Sequence, residues 1–351
     1  MNSNHYLLQK LLNSSSSNSG QNGSSEAEIS NLDSFIAGTL SSLGAQRRNA
    51  CAEELHGILP AESQENPASI LVSMQVMDHL LNAIGQGTAY ETAKAMDQAF
   101  ATDKAFQMKF LRANKYDPKK ATDQIIRFFK MKLDLFGIEK LAKVITLEDL
   151  DENDMDCLRN GSFQVLPCKD MAGRPIIFGM TSLRTCKTMK NELRARWYML
   201  MSVLENQDCQ VARVILVAYA VGNLRDKRVG DPDNVEMCNS LPIQFSGTHL
   251  CCDDIGQYLL LSSSIRLFQP ENRARFRVHY GNHKKVQQVL TTYGIPVSAL
   301  PLTRDHNTPV LGKHLEWIAK RKAIEKERES RAPTARIDTN GGEISKGGSN
   351  Q

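Results

Sequence analysis

Regularly spaced apolar residues predict helices in the part of the chain that follows residue 66. From residue 70 they recur every three or four positions, which is the period of one helix face: Ile70, Met74, Met77, Leu81 and Ile84. Asp117 followed by Pro118 predicts the start of another helix, because Asp caps helix N-termini and Pro fits their first position. Residues 67–145 are therefore predicted to form a helical subdomain.

The pattern changes to short apolar runs after residue 156. Runs at residues 163–166 and 175–178, separated by a glycine-containing turn, predict two strands. Residues 211–221 are apolar on both faces, which is typical of a strand covered by helices on each side. With further strands at 243–250 and 276–280 and helices between them, residues 150–312 are predicted to form an α/β lobe. Its sheet is expected to be mixed or mostly parallel and covered by helices.

Both ends of the chain are polar. Residues 1–66 are rich in Ser, Asn and Gly and are predicted to be largely disordered, since they offer little apolar surface to bury. Residues 313–351 are predicted to be a charged helix, anchored by Leu315, Trp317 and Ile318 with its other residues in solvent, followed by a disordered tail. Either end is a possible docking segment for a protein partner.

Composition removes several classes of function. The chain has 351 residues, a net charge of +4 and 41% hydrophobic residues, a charge too small to indicate nucleic-acid binding. No apolar run approaches the roughly 18 residues of a membrane span, and no signal-peptide pattern is present. The eight cysteines contain no CxxC pair. A cytoplasmic protein with reduced thiols is expected.

A search for catalytic chemistry yields one weak candidate. Cys168 and Arg174 have the Cys-x5-Arg spacing of cysteine phosphatases, but Pro175 removes an N–H that a phosphate cradle needs, and the pattern is that of a hairpin. His249, His279 and His283 lack a carboxylate at matching spacing, so no metal is expected. No enzyme activity and no cofactor are predicted; the phosphatase stays as a third alternative.

Three segments together resemble the CRAL-TRIO family, which includes phosphatidylinositol-transfer, tocopherol-transfer and retinaldehyde-binding proteins. They are KFLRANKYDPKKATDQIIRFFKMKLDLFG at 109–137, KDMAGRPIIF at 169–178, and residues 241–296. The resemblance implies a lobe that encloses a cavity for one lipid, gated by a mobile helix at residues 254–267. Extracting a 16-carbon chain from a bilayer costs about 13 kcal/mol, and an enclosed apolar cavity is needed to offset this cost. A closed cavity in turn needs a movable wall through which the lipid enters.

The resemblance also implies a set of lipid-contacting residues. Arg275 corresponds to a basic residue that holds the headgroup in phosphatidylinositol-binding members, whereas Ile243 stands where they have Glu, so the lipid is not identified. Arg112 is expected either to form a structural ion pair or to contact the ligand. The expected lipid-binding residues are Arg112, Tyr198, Val217, Tyr219, Phe245, His249, Ile255, Tyr258, Leu259, Arg275 and Arg277.

These expectations amount to a lipid carrier. It binds one hydrophobic or amphipathic lipid and exchanges or presents it at membranes, with the substitution Leu259→Asp expected to abolish retention. A basic cluster is expected to make transient contact with anionic membranes: Arg266, Arg273, Arg275, Arg277, Lys284 and Lys285. The alternative is a lipid-sensing or protein-docking module of the same fold without transfer activity.

Overall fold

The structure is a computed structural model that describes residues 65–180, 186–220, 232–264, 275–303 and 308–331. The predicted disordered ends and Arg266 and Arg273 lie outside these residues. The described part begins with helices that end near residue 145. These helices are α1 Pro67–Asn82, α2 Ala89–Met96, α3 Gln98–Ala101, α4 Lys104–Ala113 and α5 Pro118–Phe136.

Local sequence signals explain where these helices begin. The Asp117 carboxylate accepts hydrogen bonds from the backbone N–H groups of Lys119 and Lys120, and Pro118 opens α5, as predicted. Thr88 caps α2 in the same way through the N–H of Glu91. These contacts satisfy donors that the first helical turn leaves unpaired.

The second part is an α/β lobe around a five-stranded sheet of order β1-β2-β3-β4-β5. The first pair, β1 and β2, is antiparallel, and the remaining pairs are parallel. The strands are β1 Phe163–Lys169, β2 Pro175–Met180, β3 Val214–Ala220, β4 Phe245–Cys252 and β5 Phe276–Tyr280. The predicted α/β class with a mostly parallel sheet is confirmed.

Helices connect and flank these strands. They are α6 Glu152–Arg159, α7 Met189–Val203, α8 Gln207–Ala212, α9 Pro232–Ser240, α10 Ile255–Ser264, α11 His283–Thr292 and α12 Gly312–Arg331. In the described residues, short 3-10 turns lie at Ile138–Lys140, Leu147–Asp149 and Val297–Ala299. The predicted gate segment, residues 254–267, corresponds to α10 as far as Ser264; its last residues lie outside the described part.

The register assigns alternate strand residues to two faces. The front face carries Ile177, Leu216 and Thr248, which are neighbours across β2, β3 and β4. Helices α7 and α10 contribute to the hydrophobic clusters on this face. The back face carries Phe178, Val217 and His249 in the same way, and the apolar side of α11 packs there.

The front-face core continues into the helical part. The rings of Trp197 on α7 and Phe128 on α5 pack at a tilt, with 4.8 Å between their centroids, and one hydrophobic cluster contains residues of both parts. The Gln124 amide on α5 also donates to the backbone oxygens of Asn239 and Leu241. The two parts therefore share one core.

Helix α12 corrects the expectation that its charged residues lie in solvent. Arg321 and Glu325 are buried. Arg321 donates to both carboxylate oxygens of Glu205, and Tyr198 donates to Glu325 at 2.6 Å. Burial favours a higher pKa for Glu205, but hydrogen bonds from Arg321 and Arg328 outweigh it and lower that pKa to about 2. The helix is fixed to the lobe by a buried polar network.

One pair of cysteines corrects the expectation of reduced thiols. Cys157 of α6 and Cys186, which precedes α7, form a disulfide that closes a separation of 29 residues. Both residues are buried. Within the described ranges, no helix is long and apolar enough to cross a bilayer.

Candidate functional site

The central strand β3 is packed differently on its two faces. On the back face, Ile215, Val217 and Tyr219 are buried, whereas on the front face Leu216 and Ala218 are half-buried. A central strand of a helix-covered sheet is ordinarily covered on both faces. Some apolar surface of the middle of the sheet is thus left uncovered on the front.

The uncovered surface extends across the neighbouring strands. Leu250 on β4 pairs with Ala218, and Val278 on β5 pairs with Leu250, all on the front face. Phe276 lies beside them, and all of these side chains are half-buried. We call this set, Leu216, Ala218, Leu250, Phe276 and Val278, the uncovered strip.

The strip adjoins two hydrophobic clusters on the front face: Leu216 packs against the first, and Leu250 and Val278 pack against the second. On one side, Leu193 and Trp197 of α7 pack with Ile177 of β2. On the other side, Leu261 of α10 packs with Cys252 and Ala220 in a small separate cluster. The strip is therefore an apolar floor that extends from the α7 cluster to the α10 cluster.

Helix α10 is apolar on both of its sides. Leu261 is buried against the sheet, and the Asp254 side chain caps the helix by accepting from the N–H of Gln257. On the outer side, Ile255 is 54% exposed and Leu259 is 63% exposed. An exposed apolar helix face is typical of contact with another apolar phase or partner.

Four of the sequence-predicted lipid contacts lie on the front-face side of the sheet. Tyr258 is half-buried on α10 and packs with the α10 cluster. Phe245 lies at the start of β4 against the α7 cluster. Ile255 and Leu259 belong to the outer side of α10, so they face away from the strip.

Four others lie on the back face and are separated from the strip by the sheet itself. Val217, Tyr219, His249 and Arg277 occupy back-face register positions. The rings of His249 and His279 stack, and His249 Nδ1 lies 2.9 Å from His279 Nε2. One lipid on the front face does not contact these residues.

The back-face histidines are electrostatically constrained. Burial and, as a smaller cause, the Arg277 guanidinium together lower the pKa of His279 to about 4. Tyr293, which follows α11, packs edge-on against His249. His279 is therefore neutral and buried at physiological pH.

The remaining predicted residues have other surroundings. Tyr198 is buried beside α12, where it donates to Glu325. Arg112 donates to Glu65 at 2.6 and 3.0 Å and to Gln210 at 2.7 Å. The hydrogen bond to Glu65 raises the pKa of Arg112. The structural pair, one of the two roles expected for Arg112, is thus present.

The described basic residues of the predicted cluster lie at β5 and at the start of α11. Arg275 precedes β5, Arg277 lies on its back face, and Lys284 and Lys285 are exposed in the first turn of α11. The exposed lysines lie next to Tyr280, which is 44% exposed at the end of β5.

The Cys168–Arg174 segment forms a hairpin turn. Asp170 accepts from the N–H of Arg174 at 2.8 Å and forms an ion pair with its guanidinium at 2.6 Å. Burial raises the pKa of the Cys168 thiol, which opposes formation of a nucleophilic thiolate. The geometric basis of the phosphatase interpretation is missing. No cluster of metal-binding side chains occurs among the residues whose positions are described.

Sequence reasoning missed the uncovered strip. Leu216, Ala218, Leu250 and Val278 belong to continuous apolar runs, in which alternation does not distinguish one face of a strand from the other. The sequence offered one weak signal, which is that Ala218 is a small residue in the middle of strand β3. Strand register then decides which face it occupies.

Comparison with known proteins gives a distant likeness. No family model matches the sequence, and no curated protein matches it. Among solved structures, the crystal structure of Sfh5 is similar over 75% of this chain and 99% of that chain, with a TM-score of 0.39 and 12% sequence identity. The interpretation of the site therefore rests on its own geometry.

Proposed function

We propose that the protein binds one lipid, with the apolar part of the lipid lying on the uncovered strip between α7 and α10. The supporting observation is the partly exposed apolar front of the central strand, Leu216 and Ala218, opposite a buried back. A protein gains no stability from leaving such surface in water. An apolar ligand that covers it gains about 25 cal/mol for each Å² removed from water.

The proposal extends to exchange at membranes. Helix α10 is attached to the sheet through a small apolar cluster that includes Leu261 and Cys252. Its outer side presents Ile255, Leu259 and Leu260, all exposed. Contact of this side with a bilayer lets α10 leave the sheet without exposing apolar surface to water, which opens the strip. The reaction is binding and release, with no covalent step.

Native mass spectrometry of the purified protein tests binding directly. We expect the wild-type protein to carry one lipid, seen as a discrete added mass. Ala218→Trp places a large side chain on the strip and should reduce the lipid-bound fraction roughly tenfold, since the indole occupies the ligand's place. Ala172→Trp, at an exposed position of the hairpin turn, is the matched control and should leave binding unchanged.

Two results would overturn the proposal. One is a wild-type protein that neither retains nor takes up lipid from vesicles. The other is a folded Ala218→Trp variant that carries as much lipid as the control. Vesicle-to-vesicle transfer then separates a carrier from the sensing module: a sensor binds lipid but does not raise the transfer rate.

A further inference from the structure

Helix α1 is apolar on its outer side as well as on its inner side. Met77 and Leu81 are buried in the core on the inner side. On the outer side, Leu71 is 60% exposed, Val72 is 58% exposed and Val76 is 42% exposed. A helix with apolar residues on both sides is ordinarily buried, and a contiguous exposed apolar face is typical of an interaction site. The outer side of α1 therefore has the character of a contact surface.

The exposed residues of α1 also lack charge. None of them is Asp, Glu, Lys or Arg. The one such residue in the helix, Asp78, is half-buried and forms an ion pair with Lys104 of α4. The neighbouring helix α5 shows the opposite pattern, because every exposed residue that it carries is charged: Lys119, Lys120, Asp123, Lys130 and Asp134. Charged residues are depleted in the cores of protein contacts, so α1 differs from a solvent-facing helix such as α5.

The sequence before α1 contains a segment that matches this uncharged face. Within residues 32–43, which lie outside the described part of the chain, Asp33 is the one charged residue. The apolar residues nearer to α1, at 55–59, directly follow Glu53 and Glu54 and are less suited to an uncharged face. We call residues 32–43 the N-terminal segment. Its apolar residues have the spacing of one helix face: Leu32, Phe35, Ile36, Leu40 and Leu43.

The start of α1 places the N-terminal segment within reach. Glu65 accepts hydrogen bonds from Arg112 and Tyr116, and Asn66 caps α1, so the chain enters the helix from a fixed point. Residues 44–64 join this point to the N-terminal segment, and a chain of that length reaches roughly 70 Å when extended. Helix α1 is only about 24 Å long. A tethered segment is present at an effective concentration on the order of millimolar, which favours it over a free partner.

We infer that the N-terminal segment forms an amphipathic helix that docks on the outer side of α1 of the same chain, so that the two apolar faces cover each other. This surface carries no residue of the uncovered strip. The inference therefore goes beyond the proposed function and does not depend on lipid binding. A second copy of the chain on the same face of α1 is the competing occupant, and the experiment distinguishes the two.

Photo-crosslinking in the full-length protein tests the contact. Val72→p-benzoylphenylalanine places a photoreactive side chain on the outer side of α1, and trypsin then releases residues 11–47 and residues 49–94 as separate fragments. We expect a crosslink between these fragments from one chain. Mixing unlabelled and nitrogen-15-labelled protein separates it from a crosslink between two copies. Val144→p-benzoylphenylalanine, at a residue 65% exposed beyond α5, is the control and should not capture residues 11–47.

Substitutions in the N-terminal segment test which of its sides makes the contact. Phe35→Asp, combined with the probe at position 72, places a charge in the apolar contact and should reduce the crosslink yield about tenfold. Ser41→Asp, on the opposite side of the predicted helix, should keep the yield within about twofold of wild type. The inference is overturned if position 72 captures mainly a second copy, if it does not capture residues 11–47, or if the two Asp variants give equal yields.

Discussion

At the scale of single residues, side-chain identity predicted roles that depend on neighbouring residues, such as helix capping. It did not predict roles that depend on which face of the sheet a residue occupies. Asp117 was expected as a helix start and caps α5. The roles assigned to Val217 and His249 required knowledge of which side of the sheet they occupy, and both lie on the back. A shift of one residue in a strand exchanges its faces, so residue spacing cannot supply this information.

The buried histidine pair predicts an acid-sensitive step in stability. The pKa of His279 falls from 6.5 in the unfolded chain to about 4 in the folded protein. The unfolded state therefore binds more protons between these values, so stability is complete above about pH 6.5 and is lost as the pH falls toward 4. His279 lies on the last strand of the described sheet, and we expect its protonation to reduce the free energy of unfolding by an amount on the order of 2 kcal/mol.

Urea unfolding at pH 7 and at pH 4.5 measures this loss. His279→Gln should make the difference between the two pH values smaller than in wild type. His79→Gln, which removes an exposed histidine of α1, is the control and should reproduce the wild-type difference. An unchanged difference in His279→Gln would assign the acid sensitivity to other groups.

At the scale of elements, the helices and strands were largely predictable, because helical spacing and apolar runs are properties of neighbouring residues. The strand predicted at 276–280 matches β5, and the helix predicted from residue 118 matches α5. The position of α12 was not predictable. The spacing of its charges predicted that they face solvent, but Arg321 and Glu325 contact residues on distant segments, and one of these residues is Glu205.

The two sides of α10 should respond differently to a charge. Leu259 is 63% exposed and Leu261 is 4% exposed. Leu259→Asp should keep the bound lipid but slow transfer between vesicles by roughly tenfold, since it removes a leucine from the membrane contact. This revises the expectation that it abolishes retention. Leu261→Asp should lose the lipid, because a charge is placed beneath the helix.

Native mass spectrometry and vesicle transfer measure these two effects on the same samples. Equal loss of bound lipid in both variants would contradict the assignment of an inner and an outer side to α10.

The buried network of α12 should carry measurable stability. Arg321→Ala leaves the Glu205 carboxylate and Glu325 without their guanidinium partner, and we expect the free energy of unfolding to fall by about 3 kcal/mol. Lys322→Ala, at the adjacent exposed position, should change it by less than about 0.5 kcal/mol. Chemical denaturation of both variants gives the comparison, and equal values would show that α12 is only loosely attached.

At the scale of the whole molecule, the shared core predicts cooperative unfolding of the helical part and the α/β lobe. Phe128 of α5 packs on Trp197 of α7, so neither part retains its packing alone. Circular dichroism and tryptophan fluorescence should therefore report one common midpoint. Phe128→Ala should lower the free energy of unfolding by about 3–5 kcal/mol, with the same value from both signals. Met96→Ala, at a residue 47% exposed on α2, should have little effect.

Two separate midpoints would instead support residues 67–145 as an independently folding unit, which the domain prediction left open.

The bond between Gln124 and the backbone oxygen of Leu241 joins positions that are 117 residues apart. During synthesis at about 5–20 residues per second, roughly 6–25 seconds separate the appearance of these two partners. The side of α5 that carries Gln124 thus lacks its final partner until residue 241 has been translated. Nascent chains paused before residue 241 should accordingly be the forms that chaperones capture.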